Sequence, residues 1–286
     1  MNIFECVPNI AEGRDAALVD ACARRIEAAG VTLAQVTSDV AHHRSVFTFF
    51  GSRERVLEAA LALARVVVER IDLREHTGAH PRIGALDVLP FVPFGAATRA
   101  EAVALAHDAA RRLWDDLRVP SFFYGDAAAS SERRLLATVR GAGFEALATR
   151  EDKPDVGDAR SHPSAGAVAV GARGVLVAFN VVLASDDLAL ARSIARCLRE
   201  RDGGLRTLRA LGFAQDDGSV QVSFNVTDFE QTPLDLILSR VRALAGLKGV
   251  AVSRSELIGL VPRAALQAVV AHALNETTEV NGTMTQ

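Results

Sequence analysis

The 286 residues are 49% hydrophobic and 23% charged, with a formal net charge of −3 at pH 7. That composition excludes a disordered chain, which lacks the apolar surface to offset its conformational entropy, and no basic run supplies an electrostatic footprint for nucleic acid. The most apolar stretch, Gly166–Ser185, is broken by Arg173 and Asn180, so it falls short of the roughly 18–20 uncharged residues of a membrane span.

Taken in chain order, Ile3–Val7 reads as a strand that stops at Pro8-Asn9, and Asp15–Ala28 has helical spacing ending at Gly30. Val31–Val36 and Ser45–Phe50 read as strands joined by a turn that carries Asp39, His42, His43 and Arg44. Arg53–Ile71 is an amphipathic helix with Val56, Ala60, Leu63 and Val67 on one face. A strand follows at Val88–Val92. Thr98 then caps a helix to Leu117, with Glu101 three residues on completing a capping box. A strand at Ser121–Tyr124 closes this half, which reads β-α-β-β-α-β with an added helix and strand.

From Ser130 to Ser164 the chain is polar, and a short helix near Glu132–Val139 is expected within loop. Ala167–Val170 and Val175–Leu183 are strand-like. A helix over Asp186–Arg201, capped by Ser185, ends at Gly203-Gly204. Thr207–Phe213 and Val220–Val226 form a hairpin around Asp216-Asp217-Gly218-Ser219. A helix at Thr232–Leu244, a strand at Val250–Leu257 and a helix at Pro262–Leu274 complete a second β-α-β-β-α-β unit. The expected fold is α/β (α+β), with two such subdomains, mixed sheets and helices on the outer faces. Their bounds are 1–175 and 176–274, with a flexible polar tail at 275–286. Cys6, Cys22 and Cys197 fit no metal or disulfide spacing, and the N-terminus shows no basic, apolar leader; a reducing cytoplasm is the expected setting.

Chemistry concentrates in His76-Thr77-Gly78-Ala79-His80-Pro81-Arg82-Ile83-Gly84-Ala85-Leu86-Asp87. Gly78, Pro81 and Gly84 forbid a regular helix there, so the segment is a loop between rigid elements, where catalytic groups concentrate. A histidine in it can change charge near neutral pH. His76 and His80 are spaced as a helical zinc pair would be, but without a helix the spacing loses its geometric meaning; a metal site with Asp39, His42 and His43 is the lesser reading, and no metal is expected. His162-Pro163-Ser164-Ala165-Gly166 repeats the His-Pro-x-x-Gly pattern of His80–Gly84, either as a linker turn or as a ligand-binding loop. Asn180 and Asn225 each sit inside an apolar strand, in Phe179-Asn180-Val181 and Phe224-Asn225-Val226. Such an Asn bonds either the neighbouring backbone or a polar cleft.

Taken together, these residues resemble the glutamate formimidoyltransferases (formiminotransferases) of histidine degradation. The likeness runs from about residue 2 to 274. It rests on Glu5-Cys6-Val7-Pro8-Asn9 with Glu12-Gly13-Arg14, His80–Val88, Gly166-Ala167 with Val170–Arg173, Phe179-Asn180-Val181, Gln221–Asn225 and Ser255–Pro262. The family often has Glu where this chain has Ala79, Met where it has Ile83, and Asn where it has His43.

The resemblance implies a folate tunnel between two α/β subdomains, commonly in a homodimer, and transfer of a formimino group from N-formimino-L-glutamate to N5 of tetrahydrofolate as co-substrate, with no metal. It places the catalytic histidine at His80 and the folate loop at roughly Gly157–Gly166, including Gly157, His162, Pro163 and Gly166. Asp39 and Arg82 are expected beside His80 in catalysis, and Arg44, His43, Asn9 and Asp87 about the donor. Asn180, Asn225 and Glu256 are expected to read the pterin edge. The chain has no room for the cyclodeaminase domain fused to the animal enzymes. Formyl transfer, a metal-dependent hydrolase and a non-catalytic folate-binding module are the alternatives.

Overall fold

In the computed structural model the chain divides into two compact units, Met1–Gly174 and Val175–Gln286. The structure describes residues 2–78, 81–158, 161–215 and 217–267. His80, the far end of the helix expected to Leu274 and the expected tail Asn275–Gln286 lie outside them.

The first unit opens with β1 (Asn2–Cys6) and β2 (Asn9–Ile10), which share one lane of a sheet. Both pair antiparallel with β4 (Arg44–Gly51) on one side and β5 (Leu86–Gly95) on the other. Pro8 lies in the break between them and has no N–H to give a ladder. β3 (Thr32–Asp39) pairs with the outer side of β4, so Asp39 sits opposite Arg44 across a tight turn. On the other flank β5 runs parallel to β7 (Val168–Ala172), which runs parallel to β6 (Ser121–Gly125). The sheet is therefore mixed, antiparallel at one side and parallel at the other, as the sequence led us to expect.

Three helices build the main core of this unit. α1 (Ala16–Ala28) is capped by Asp15, whose carboxylate accepts from Leu18 N–H. α2 (Arg53–Arg70) buries Val56, Ala60, Leu63 and Val67, the stripe legible in the sequence. α3 (Arg99–Leu117) begins with the expected Thr98–Glu101 capping box. Their apolar faces meet Phe4, Cys6, Phe47, Phe49, Leu89 and Phe91 from the strands.

The opposite side of β5, β6 and β7 carries a smaller cluster that includes Ile83, Val88, Phe122 and Tyr124, closed by Val139 and Leu147. The polar segment after Ser130 supplies that cover. It holds a 3-10 turn at Glu132–Arg134, the five-residue α4 (Leu136–Arg140) and a second 3-10 turn at Phe144–Thr149. The expected single helix at Glu132–Val139 is thus split, and the stretch read as loop is partly helical. Few apolar residues are needed to plug a small face, so the periodic signal is weak.

The second unit is a four-stranded antiparallel sheet in the order β11-β8-β10-β9. Here β8 is Val177–Leu183, β9 Leu208–Ala214, β10 Val220–Val226 and β11 Val252–Ile258. α5 (Leu188–Leu198) and α6 (Leu234–Gly246) supply the helices of the β-α-β-β-α-β order, and both bury residues in one core with Val177, Phe179, Val181 and Phe224. β3, β4, β1 and β5 of the first unit follow the corresponding lateral order, so the repeat seen in the sequence is one of topology. Asp187 caps α5, accepting from Leu190 N–H; the expected cap, Ser185, instead accepts from Asp187 N–H through its hydroxyl.

Candidate active site

The cleft of interest lies in the first unit and is lined by Ile10, Ala11, His42, His43, Arg44, His76, Arg82 and Asp87. It encloses about 190 Å3, counting its open mouth. Four segments meet there: the β2–α1 loop, the β3–β4 turn, the loop before β5, and the start of β5 itself. Two glycines permit the approach. A Cβ on Gly13 would lie 2.3 Å from the Asp39 carbonyl oxygen, and one on Gly78 would lie 2.8 Å from that of His42.

His43 tops the turn in a left-handed backbone conformation, φ +50°. Its Nδ1 lies 3.0 Å from the Thr77 carbonyl oxygen and its Nε2 3.0 Å from Glu12 Oε1. The ring stacks on His76 with centroids 4.2 Å apart and planes 7° from parallel. His76 is buried; its Nε2–H donates to the His43 carbonyl at 3.3 Å, and its Nδ1 accepts from Arg82 Nε–H at 3.0 Å. Those two bonds fix one neutral tautomer. Burial, with the neighbouring His43 and Arg82, holds His76 below the usual histidine range against the pull of its bond to His43 and of Glu12.

Glu12 accepts from the backbone N–H groups of Arg14 and Asp15 as well as from His43. Partial burial pushes its carboxyl up, but these bonds prevail and the group lies below the ordinary carboxylate range. Arg82 is heavily engaged: besides His76 Nδ1, it reaches the His76 carbonyl at 3.1 Å and Glu145 at 2.9 and 3.2 Å. It therefore ties its own segment to His76 and to Glu145. Its expected catalytic part would have to be played from within that brace.

Asp87 is 3% exposed. Its Oδ1 accepts from Ile83 N–H and its Oδ2 from Arg140 at 3.0 and 2.6 Å. Arg44 donates to the Asn9 side-chain oxygen. Burial and the nearby Arg140 pull its guanidinium down to about 10, with Asp87 and Tyr124 opposing; it stays a cation at neutral pH. Asp39 lies at the exposed rim, accepting from His42 through its backbone N–H and contacting its Nδ1, each at 2.8 Å. Those bonds hold the Asp39 carboxyl below its ordinary range. Among the described residues it orients His42.

The stretch Ile83–Ala85 packs against Ala165–Ala167. Gly84 and Gly166 form an antiparallel bridge, Ala85 N–H donates to the Ala165 carbonyl, and Ala167 N–H donates to that of Ile83. His162 closes its own turn, with Nδ1 accepting from Ala165 N–H at 3.0 Å. Burial lowers its pKa. Pro163 sits inside this turn, and Gly157 packs against Trp114 and Pro120 at φ +108°. In the second unit Glu256 and Ser223 lie opposite Asn180, and Asn225 lies opposite Ala178. Asn180, Asn225 and Glu256 therefore share the sheet face turned away from the Phe179–Phe224 core, with Glu256 paired to Arg254 at 2.7 Å.

Sequence reasoning passed over Glu12, Arg140 and Glu145 and left His76 without a role. Glu12 was visible only as a helix entry. Arg140 and Glu145 lie in the weakly patterned segment, and no local signal places them at the cleft. As for metal, no group of three or more His, Cys, Asp or Glu side chains among the described residues could hold an ion.

Comparison with known proteins decides the family. The model of the formiminotransferase domain, N-terminal subdomain, matches residues 3–173, and that of the formiminotransferase domain matches residues 178–281. This chain belongs to the formiminotransferase family.

It is 42% identical over 272 residues to a glutamate formimidoyltransferase of Streptococcus pyogenes serotype M1, covering 92% of this chain and 90% of that protein. A glutamate formimidoyltransferase of Thermoplasma acidophilum is 37% identical, with 93% and 90% covered. The formimidoyltransferase-cyclodeaminase of Gallus gallus is 38% identical; 92% of this chain is covered but only 51% of that longer relative. The cleft of this formiminotransferase chain lies wholly within the part matched by the N-terminal subdomain model.

Proposed function

We propose that the protein transfers the formimino group of N-formimino-L-glutamate to N5 of tetrahydrofolate, releasing glutamate, as a step of histidine degradation. The observation that carries this reading is family membership along nearly the whole chain, with relatives of matching length named for the reaction. The cleft supports it. Arg44 lines that cleft beside His42, His43 and Asp87, and its guanidinium fork matches the geometry of a donor carboxylate.

The reaction forms a bond from N5 to the amidine carbon and breaks the bond from that carbon to the glutamate nitrogen. The N5 proton leaves and the glutamate nitrogen gains one, so a single group can carry the proton between them. An imidazole, with its ordinary value of about 6.5, suits that exchange. We assign it to His80, which lies outside the described residues. Holding donor and folate side by side supplies much of the acceleration.

Asp39 and Arg82 act beside His80. Asn9 and Asp87 hold Arg44 and Arg140 at the donor. The loop with Gly157, His162, Pro163 and Gly166 takes the folate, and Asn180, Asn225 and Glu256 read its pterin edge. We further propose a cytoplasmic homodimer that works without metal; no described helix is long and apolar enough to cross a membrane. Glutamate release from N-formimino-L-glutamate, dependent on tetrahydrofolate, tests the reading.

A further inference from the structure

His43 was expected to touch substrate, yet both of its ring nitrogens are taken by the protein. One faces a carbonyl oxygen at 3.0 Å and the other a carboxylate oxygen at 3.0 Å. A ring nitrogen facing an acceptor needs a hydrogen, so His43 satisfies both only with a hydrogen on each. Glu12 supplies the balancing charge, and its side chain and that of His43 are 14% and 12% exposed, which keeps water from screening the pair.

The stacked partner is in the opposite condition. His76 offers a lone pair to Arg82 and one N–H to the His43 carbonyl. Two stacked imidazoliums would repel each other, whereas a charged ring over a neutral one does not. The groups facing this pair are Glu12 from the β2–α1 loop, Arg82 from the segment before β5 with Glu145 behind it, and the flanking His42 and Arg44 of the turn.

We propose that Glu12 and His43 are positioning residues. Glu12 holds the His43 ring by its Nε2, that ring packs flat on His76, and His76, its tautomer set by the His43 carbonyl and by Arg82 Nε–H, holds Arg82 in place. The pair touches no substrate. It sets the placement of His76 and Arg82 on either side of the histidine that the proposed function uses, and to that extent it rests on that reading. Its chemical signature does not, because ring hydrogens can be read without substrate.

The test uses the full chain and the variants Glu12→Gln, His43→Ala and His43→Asn. Glutamine keeps an acceptor for the Arg14 and Asp15 N–H groups, so Glu12→Gln removes the charge without opening the helix entry. Asparagine keeps a donor toward Glu12. Ring-nitrogen NMR of the wild type should show hydrogens on both nitrogens of His43 and only on Nε2 of His76, and in Glu12→Gln, where the balancing charge is gone, His43 should lose one of its two hydrogens. Glu12→Gln and His43→Ala should each lower kcat at least about tenfold, the scale of a slightly misplaced reacting group. KM for tetrahydrofolate should stay within about twofold and melting should stay cooperative, while His43→Asn, which keeps the donor but not the ring, should recover only part of the lost kcat.

Two hydrogens kept on the His43 ring in Glu12→Gln, or kcat within twofold of wild type in both Glu12→Gln and His43→Ala, would overturn the proposal. If the wild type released no glutamate at all, the function would fall, and the NMR comparison alone would still decide whether Glu12 holds both hydrogens on His43.

Discussion

His43 and His76, 33 positions apart, exchange backbone contacts as well as a ring face: the His43 ring meets the Thr77 carbonyl, and the His76 ring donates to the His43 carbonyl. The β3–β4 turn and the loop before β5 are thereby clasped. The site's walls are held by this clasp and by the Asp87–Arg140 pair, with Arg44 lining the cleft between them.

Acid should loosen this arrangement. The ordinary value for histidine is 6.5, and the folded-state values of His76 and His162 are lowered, with burial the leading cause. The unfolded chain then binds more protons between the two values, so stability is full above about 6.5 and declines as the pH falls through that window. Melting temperatures at pH 7.5, 6.5 and 5.5 should show the decline in the wild type and a shallower one in a His76→Gln, His162→Gln double variant. Parallel curves for the two would contradict the assignment.

The Asp87–Arg140 pair should matter for folding of the first unit. Its side chains are 4% and 14% exposed, and removing one partner of a buried pair typically costs about 3–5 kcal/mol. Arg140→Met should reach the lower part of that range, because Asp87 keeps its bond from Ile83 N–H. Asp87→Leu should cost more, since it loses that bond too. Urea unfolding would measure both.

Gly166 has φ +72°, and a Cβ there would lie 2.2 Å from the Ile83 carbonyl oxygen; a Cβ on Gly84 would lie 2.0 Å from that of Ala167. Both approaches are to backbone, which cannot swing aside. Gly166→Ala adds left-handed strain of about 1–3 kcal/mol to the clash. It should lower the melting temperature by at least about 5 °C, and Gly84→Ala should do the same. Gly203→Ala is the control: it shares a positive φ but meets nothing within 4 Å.

Arg44 is held by Asn9 beneath the cleft. Arg44→Met should raise KM for the donor about ten- to a hundredfold, the size of one or two charge-assisted hydrogen bonds at roughly 1.5–3 kcal/mol. KM for tetrahydrofolate should change far less. Steady-state kinetics with each substrate varied in turn would separate the two.

How much of this was legible beforehand depends on range. The strands and helices of both units follow from local periodicity and from caps such as Thr98–Glu101. The echo of His80–Gly84 in His162–Gly166 was visible as a pattern, read as a linker turn or a ligand-binding loop, and the structure bridges Gly84 to Gly166. The insertion of β7 between β5 and β6 was not legible, because strand order is set by the whole sheet. Nor was the role of Glu12, which depends on a turn 31 positions away. Arg140 reaches Asp87 across 53 positions from a segment whose short helices give almost no pattern. His80 was singled out by its loop and by the family resemblance, and Asp39 by its place in the turn with His42, His43 and Arg44. The structure places Asp39 at the exposed rim with His42, while His80 lies outside the described residues.

The most direct test of the central claim is turnover of N-formimino-L-glutamate with tetrahydrofolate, beside the N-formyl analogue, by the wild type and His80→Ala. The account predicts equal release of glutamate and 5-formiminotetrahydrofolate by the wild type and preference for the formimino donor. It also predicts a fall of about 10²–10⁴ in His80→Ala with tetrahydrofolate binding retained. No release by the wild type, or near wild-type turnover by His80→Ala, would contradict it.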